Sequence, residues 1–233
     1  MIGWSIIKAI QFGKRQERRI CLKTYIKQLE KDFSPIQSGF KEEERRALQD
    51  YQTYKPEEIE QLAYLAYQSG MYQVRMYAVF LFGYLSQKEA VFAFLREEVS
   101  KDDNWRVQEV LAKAFDEYCK KVGYEKALPV IDEWLAHSRA NTRRAVTEGL
   151  RIWTSRPYFK EHPYEAIRRI AALKEDESEY VRKSVGNALR DISKKYPELI
   201  EAELATWKLE CKVIKQVYSL ASKFLQKENP LTR

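Results

Sequence analysis

Glycine and proline are scarce in this chain of 233 residues, at eight and seven, so the residues that interrupt regular structure are few. Histidine and cysteine are scarcer still. The three cysteines, Cys21, Cys119 and Cys211, are odd in number and far apart, which fits neither a disulfide framework nor a clustered zinc site and leaves reduced thiols as the expectation. His137 and His162 have no second histidine three or four residues away, so a histidine-based metal centre or a serine-type triad is not expected. Neither GxGxxG nor GxxxxGK[ST] occurs, and the usual nucleotide-phosphate chemistry loses its support. No run approaches the roughly 18 uninterrupted apolar residues of a membrane span. The short apolar run Met1–Phe12 is broken by Lys8 and reaches Lys14 and Arg15 without a small-residue cleavage site. The expectation is a cytoplasmic monomer with no metal, no cofactor and no membrane partner.

What is present favours helices. Apolar residues make up 45% and charged residues 32% of the chain, enough to bury a core and too apolar for disorder. The net charge of +7 is unevenly placed. Residues 1–137 hold 21 Lys+Arg against 21 Asp+Glu, while residues 138–233 hold 20 against 13. An excess confined to the last 96 residues suggests a face that meets a polyanion, although scattered Lys on solvated helices gives the same count.

The chain also repeats itself. YQVRMYAVFLFGYLS from Tyr72, RVQEVLAKAFDEYCK from Arg106, ANTRRAVTEGLRIWT from Ala140 and EYVRKSVGNALRDIS from Glu179 align without internal gaps. Placing Arg75, Gln108, Arg143 and Arg182 in register gives spacings of 33, 35 and 39 residues, the range of helical solenoid repeats. In that register Ala78, Leu111, Val146 and Val185 share one apolar position, and Phe82, Phe115, Leu150 and Leu189 share another four residues on, which keeps both on one helix face. An amphipathic stretch precedes each segment: 56–68, 88–99, 124–137 and 163–173, with Pro56 and Pro163 where a first helical turn tolerates proline. A further pair is expected over 197–210 and 211–226. The expected fold is an all-α HEAT-like superhelix of about five hairpins over 56–226, with an N-terminal helical cap over 1–55 (chiefly 14–31 and 40–51), a tail over 227–233, and a concave basic face, forming a single domain. Each hairpin buries its apolar face against its neighbours.

In such an array the second helices line the concave side. Arg75, Trp105, Arg106, Gln108, Arg143, Arg144, Arg182 and Lys183 then form a strip, continued by Arg151, Arg190, Lys194 and Lys195 and by Lys212, Lys215 and Lys223. A strip of this kind suits the backbone of double-stranded DNA. The structural alternative is that the registered arginines pair with acidic residues of the neighbouring repeat. The tyrosines from Tyr51 to Tyr84 read as packing residues at helical spacing, and Lys14, Arg15, Arg18 and Arg19 as a solvated helix face.

The segments NWRVQEVLAKAFDEYC, TRRAV and KSVGNALRD resemble the DNA alkylation-repair (AlkD-like) glycosylases of the HEAT-like repeat superfamily, over roughly residues 40–226. In that family a Trp is followed four residues later by a catalytic Asp, an Arg lies 35 residues beyond, and a second Trp sits in a KxxGWxLR helix. Trp105 matches the first Trp, Glu109 stands at the Asp position, Arg144 matches the Arg, and Asn187 replaces the second Trp, between Lys183 and Arg190. The family's loop is matched only loosely by Phe33, Gly39, Arg45 and Arg46. The resemblance implies recognition of duplex DNA bearing N3- or N7-alkylated purines, without a pocket for a flipped base. Excision would build oxocarbenium character on the sugar while the base, already cationic before cleavage, departs without needing a general acid, so Glu109 is the candidate charge stabiliser, Trp105 a sugar or lesion contact, and Arg144 a phosphate clamp. Three readings stay open: a monofunctional DNA N-glycosylase, a noncatalytic binder of alkylated or branched DNA, and a protein-interaction scaffold.

Overall fold

The computed structural model describes residues 22–225, and all regular structure among them is helical. Contacts divide the chain into two compact units, one ending at Leu85 and one beginning at Ser86. The basic run Lys14, Arg15, Arg18 and Arg19, Cys21, the start of the stretch expected over 14–31, and the tail lie outside the described residues.

The first unit contains α1 (residues 22–33), α2 (Lys41–Thr53), α3 (Pro56–Tyr67) and α4 (Tyr72–Tyr84). Pro56 occupies the first turn of α3, where a missing N–H costs nothing. α4 is apolar nearly all round and is buried from Gln73 to Gly83 apart from Arg75, since both α2 and α3 pack on it. Most of the expected aromatic packing is here: Tyr51 on Tyr84 at 5.1 Å and Tyr64 on Phe82 at 5.0 Å between ring centroids. The unit also buries a polar knot. Asp50 accepts from the hydroxyls of Tyr25 (2.7 Å) and Tyr77 (2.5 Å), and Arg46 donates to the Tyr25 oxygen (2.6 Å). Burial and the Asp50 carboxylate push both phenols up, so they stay neutral donors.

The second unit runs α5 (Glu89–Glu97), α6 (Trp105–Val122), α7 (Leu128–Leu135), α8 (Ala140–Gly149), α9 (Pro157–Glu161), α10 (Pro163–Ala171), α11 (Glu179–Ser193), α12 (Pro197–Ala205) and α13 (Lys212–Ala221). Its long helices pack in series, α6 on α8, α8 on α11 and α11 on α13, with α7, α10 and α12 as the first helices of their hairpins. Two glycines permit the approach. A methyl group on Gly149 would lie 2.2 Å from the Ala112 carbonyl oxygen of α6, and one on Gly186 would lie 2.7 Å from Cβ of Leu220 on α13. The registered apolar positions Leu111, Val146, Val185, Phe115, Leu150 and Leu189 are fully buried; each large side chain among them contributes about 1.5–3 kcal/mol of burial.

The second helices start at Tyr72, Trp105, Ala140, Glu179 and Lys212. Their spacings of 33, 35 and 39 residues reproduce the sequence register, and a fourth spacing of 33 extends it to α13. The first helices are shorter than the amphipathic stretches suggest, because the flanking residues form turns and the short 3-10 segment Val99–Lys101. The long spacing has a local cause that periodicity did not reveal. A 3-10 turn, Trp153–Ser155, and the five-residue α9 are inserted between α8 and α10, and their Trp153 and Phe159 are fully buried against each other at 5.0 Å.

Candidate functional site

The registered Arg/Gln position is a clasp. Nη1 of Arg75 donates to the carbonyls of Ser69 and Gly70 (3.2 Å each), Nη1 of Arg143 to those of His137 and Ser138 (2.8 and 2.7 Å), and Nη1 of Arg182 to those of Asp176 and Glu177 (2.6 and 3.0 Å). Gln108 does the same work with an amide, donating to the carbonyls of Val99 and Asp102 at 3.0 and 2.7 Å. Each side chain reaches back to tie down the turn that enters its own helix. The turn would otherwise hold unpaired carbonyls near the core, which explains why the position recurs.

Arg143 goes further. It forms a two-pronged pair with Asp176, 2.6 and 2.8 Å, and reaches Glu177 at 3.3 Å. All five of its N–H groups are thereby engaged inside the protein. Hydrogen bonding to Asp176 raises the guanidinium's affinity for its proton, against the opposing effect of burial. The structural alternative for the registered arginines, a partner acid in the next repeat, describes Arg143 well. Arg182 instead uses carbonyl oxygens. Arg151 is bound by Asp191 (2.7 Å) and Glu148 (3.3 Å), and Arg190 lies along Asp191 with its guanidinium 6.0 Å from the Phe224 ring. Lys183 pairs with Glu179 on the surface at 2.7 Å. In the first unit Arg45 pairs with Glu42 and Arg46 belongs to the Asp50 knot.

One residue after the clasp the pattern changes. Here α6 carries Glu109, α8 carries Arg144 and α11 carries Lys183. Glu109 and Arg144 are half-buried, and among the described residues neither side chain has a hydrogen bond or ion pair. Burial without pairing is costly for a charge and is tolerated where a ligand completes the pairing. Four residues before Glu109, and so on the same face of α6, Trp105 is 57% exposed. That exposure separates it from a helix-start packing residue. The Arg106 guanidinium lies 4.4 Å from the Trp105 ring centre and its backbone N–H is capped by Asn104 at 3.0 Å, so ring and cation are held together at the start of α6. Asn187 is half-buried on α11, four residues beyond Lys183, and presents an amide rather than a ring.

No group of three or more His, Cys, Asp or Glu among the described residues could hold a metal. Cys119 is buried, and desolvation pushes its thiol up, whereas Cys211 is exposed. No described helix is long and apolar enough to cross a membrane. Sequence reasoning passed over Tyr180 on α11, which is 73% exposed; its signal was an aromatic at a helix position where α4 and α8 place an amide.

Residues 14–218 match the family of DNA alkylation repair enzymes. The crystal structure of AlkD2 from Streptococcus mutans is 72% identical and superposes with a TM-score of 0.86, covering 87% of this chain and 98% of that one. A structure of smu.31 from Streptococcus mutans UA159 gives 70% identity and a TM-score of 0.84 over the same shares. These matches establish the HEAT-like helical-repeat fold, as expected from the register. The TOG domain array protein Crescerin, at 16% identity and a TM-score of 0.53, shares the fold alone. Among curated proteins, the uncharacterized protein YhaZ of Bacillus subtilis is 38% identical over 87 residues, which is 36% of this chain and 24% of that protein's length.

Proposed function

The chain belongs to the DNA alkylation repair enzyme family, and from that premise we propose that it binds duplex DNA at an alkylated or distorted site through the face built by α6, α8 and α11. One observation carries this reading: two opposite charges without partners among the described residues, Glu109 and Arg144, at the same turn of helices that pack on each other, with an exposed indole one turn away. Arg144 takes the phosphate beside the lesion, where neutralising it releases a counterion. Trp105 offers its face to a deoxyribose or a cationic alkylated base. A scaffold that used this face for an acidic protein partner would have no need of the unpaired carboxylate at its centre.

Glu109 also supports excision as a second reading. An N3- or N7-alkylated purine leaves as a neutral base, so the reaction needs no general acid, and a carboxylate beside the sugar stabilises the developing positive charge and orients water. Two features favour binding over excision. The extra methylene of Glu109, compared with an aspartate, displaces the carboxylate by about 1 Å, a misplacement that can cost ~100-fold in rate. Asn187 also supplies no second ring.

The test is release of 7-methylguanine and 3-methyladenine from alkylated duplex DNA by the wild type and by Glu109→Gln, beside a binding titration at two salt concentrations. Salt-sensitive binding without release supports a noncatalytic binder, and release lost in Glu109→Gln supports excision. Absence of both would overturn the DNA reading and leave the scaffold.

A further inference from the structure

The second residue of a second helix has a structural task in α4 and α8 that it does not have in α11. In α4, Nε2 of Gln73 donates to the Ile36 carbonyl at 2.9 Å; in α8, Nδ2 of Asn141 donates to the Ser100 carbonyl at 3.0 Å. Both amides tie a helix start to the turn of the preceding hairpin. In α6 the position holds Arg106, stacked on Trp105. In α11 it holds Tyr180, whose hydroxyl makes no hydrogen bond among the described residues. Its ring is the most exposed of the large apolar side chains described. A ring so placed adds little to the fold, and it stands where α4 and α8 have an amide that does.

What surrounds the ring gives it a use. Tyr180, Lys183 and Asn187 follow one another at i, i+3 and i+7 along one face of α11, and Lys183 Nζ lies 6.0 Å from the Tyr180 ring centre. The exposed pair that Lys183 makes with Glu179 is weak and exchanges readily for a phosphate. Trp105 with Arg106 on α6 and Tyr180 with Lys183 on α11 are therefore two exposed ring–cation pairs. Each ring precedes the charged fifth residue of its helix by one turn, and Arg144 of α8 lies between them in the packing order. Two helix-to-helix steps span roughly 16–20 Å, or about five to six stacked bases at ~3.4 Å each.

Exposed rings alternating with cations are the chemistry of strands whose base or sugar faces are open, since stacking requires a free face whereas a continuous duplex offers only its backbone and grooves. We infer that Tyr180 is a second stacking residue, which makes the protein favour duplex DNA with interrupted stacking over a continuous duplex. This rests on the DNA-binding reading above and adds a residue and a specificity to it.

Binding of fluorescein-labelled duplexes, one intact and one containing a tetrahydrofuran abasic site, tests it in the wild type, Tyr180→Ala, Tyr180→Phe and Lys183→Ala. The wild type is expected to prefer the interrupted duplex. Tyr180→Ala lowers that preference about tenfold with unchanged melting temperature and unchanged salt slope, Tyr180→Phe retains it, and Lys183→Ala flattens the slope instead. Equal binding of the interrupted duplex by Tyr180→Ala and wild type, or a wild type without preference, overturns the role of Tyr180 and leaves the DNA reading intact. Failure of the wild type to bind either duplex overturns the reading beneath it.

Discussion

Arg143 and Arg144 are consecutive in sequence and opposite in use. The first is fully engaged with Asp176, Glu177 and two carbonyls; the second has no protein partner among the described residues. Arg143→Ala would strand Asp176, whose side chain is 4% exposed, and losing one partner of a buried pair costs about 3–5 kcal/mol. Thermal melting should show a fall of roughly 10 °C or more. Arg144→Ala should melt with the wild type and bind DNA more weakly, its log K against log salt slope flatter by about 0.9. Equal melting of the two variants would contradict the assignment. Glu43 presents a different case: it is fully buried in the first unit with neither carboxylate oxygen hydrogen-bonded. Desolvation raises its pKa above the ordinary value of 4.5, so the native state keeps the proton to higher pH than the unfolded chain does. Stability is therefore lost as pH rises from about that ordinary value through the raised native one. Glu43→Gln should melt several degrees above the wild type at pH 7.5 and nearly with it at pH 4. A gap that did not change with pH would rule out this origin. The presence of charges was legible at all these positions, but their partners were not. The carbonyls that Arg143 and Arg182 clasp belong to the backbone, which every residue has, so no side-chain pattern points to them.

At the scale of elements, register was legible because it is carried by side chains. Alternation of core positions set four residues apart gave the face, and the recurring Arg/Gln gave the phase, so the starts of α4, α6, α8 and α11 keep the spacings read from sequence. α9 was not legible: a five-residue helix is too short to show a period, and Trp153 and Phe159 read as isolated apolar residues until the fold brings them together. Close helix approach was equally hidden, since a glycine inside a helical pattern signals only lowered propensity. Its meaning is testable. Gly149→Ala forces a methyl group to 2.2 Å from the Ala112 carbonyl oxygen of α6, whereas Gly70→Ala, in the turn before α4, meets nothing within 4 Å. The α6–α8 contact must then open, at a cost of about 1–3 kcal/mol, and calorimetry should record a melting temperature lower by roughly 3–10 °C for Gly149→Ala with little change for Gly70→Ala. Equal effects would mean that helix propensity, not contact between α6 and α8, selects the glycine.

For the whole molecule, the question is how much of the net charge of +7 faces a partner. The excess lies beyond residue 137, yet much of it is spent internally. Arg143, Arg151, Arg156 and Arg169 sit in ion pairs with their own side chains no more than 29% exposed, and Arg182 holds carbonyl oxygens. Among the described residues Arg144 has no partner, Lys183 has only a surface pair, and Lys212 and Lys215 are exposed on α13 without one. A count of all the cations aligned along the second helices predicts on the order of ten phosphate contacts and a log K against log salt slope near −9. Engagement of Arg144, Lys183, Lys212 and Lys215 alone predicts a slope of about −3.6. Fluorescence anisotropy with an intact duplex between 50 and 200 mM salt separates the two, because the first loses roughly five decades of affinity over that range and the second about two. A slope steeper than about −7 would mean that the internal pairs open on binding. In that event Arg143→Ala, and not only Arg144→Ala, would flatten it.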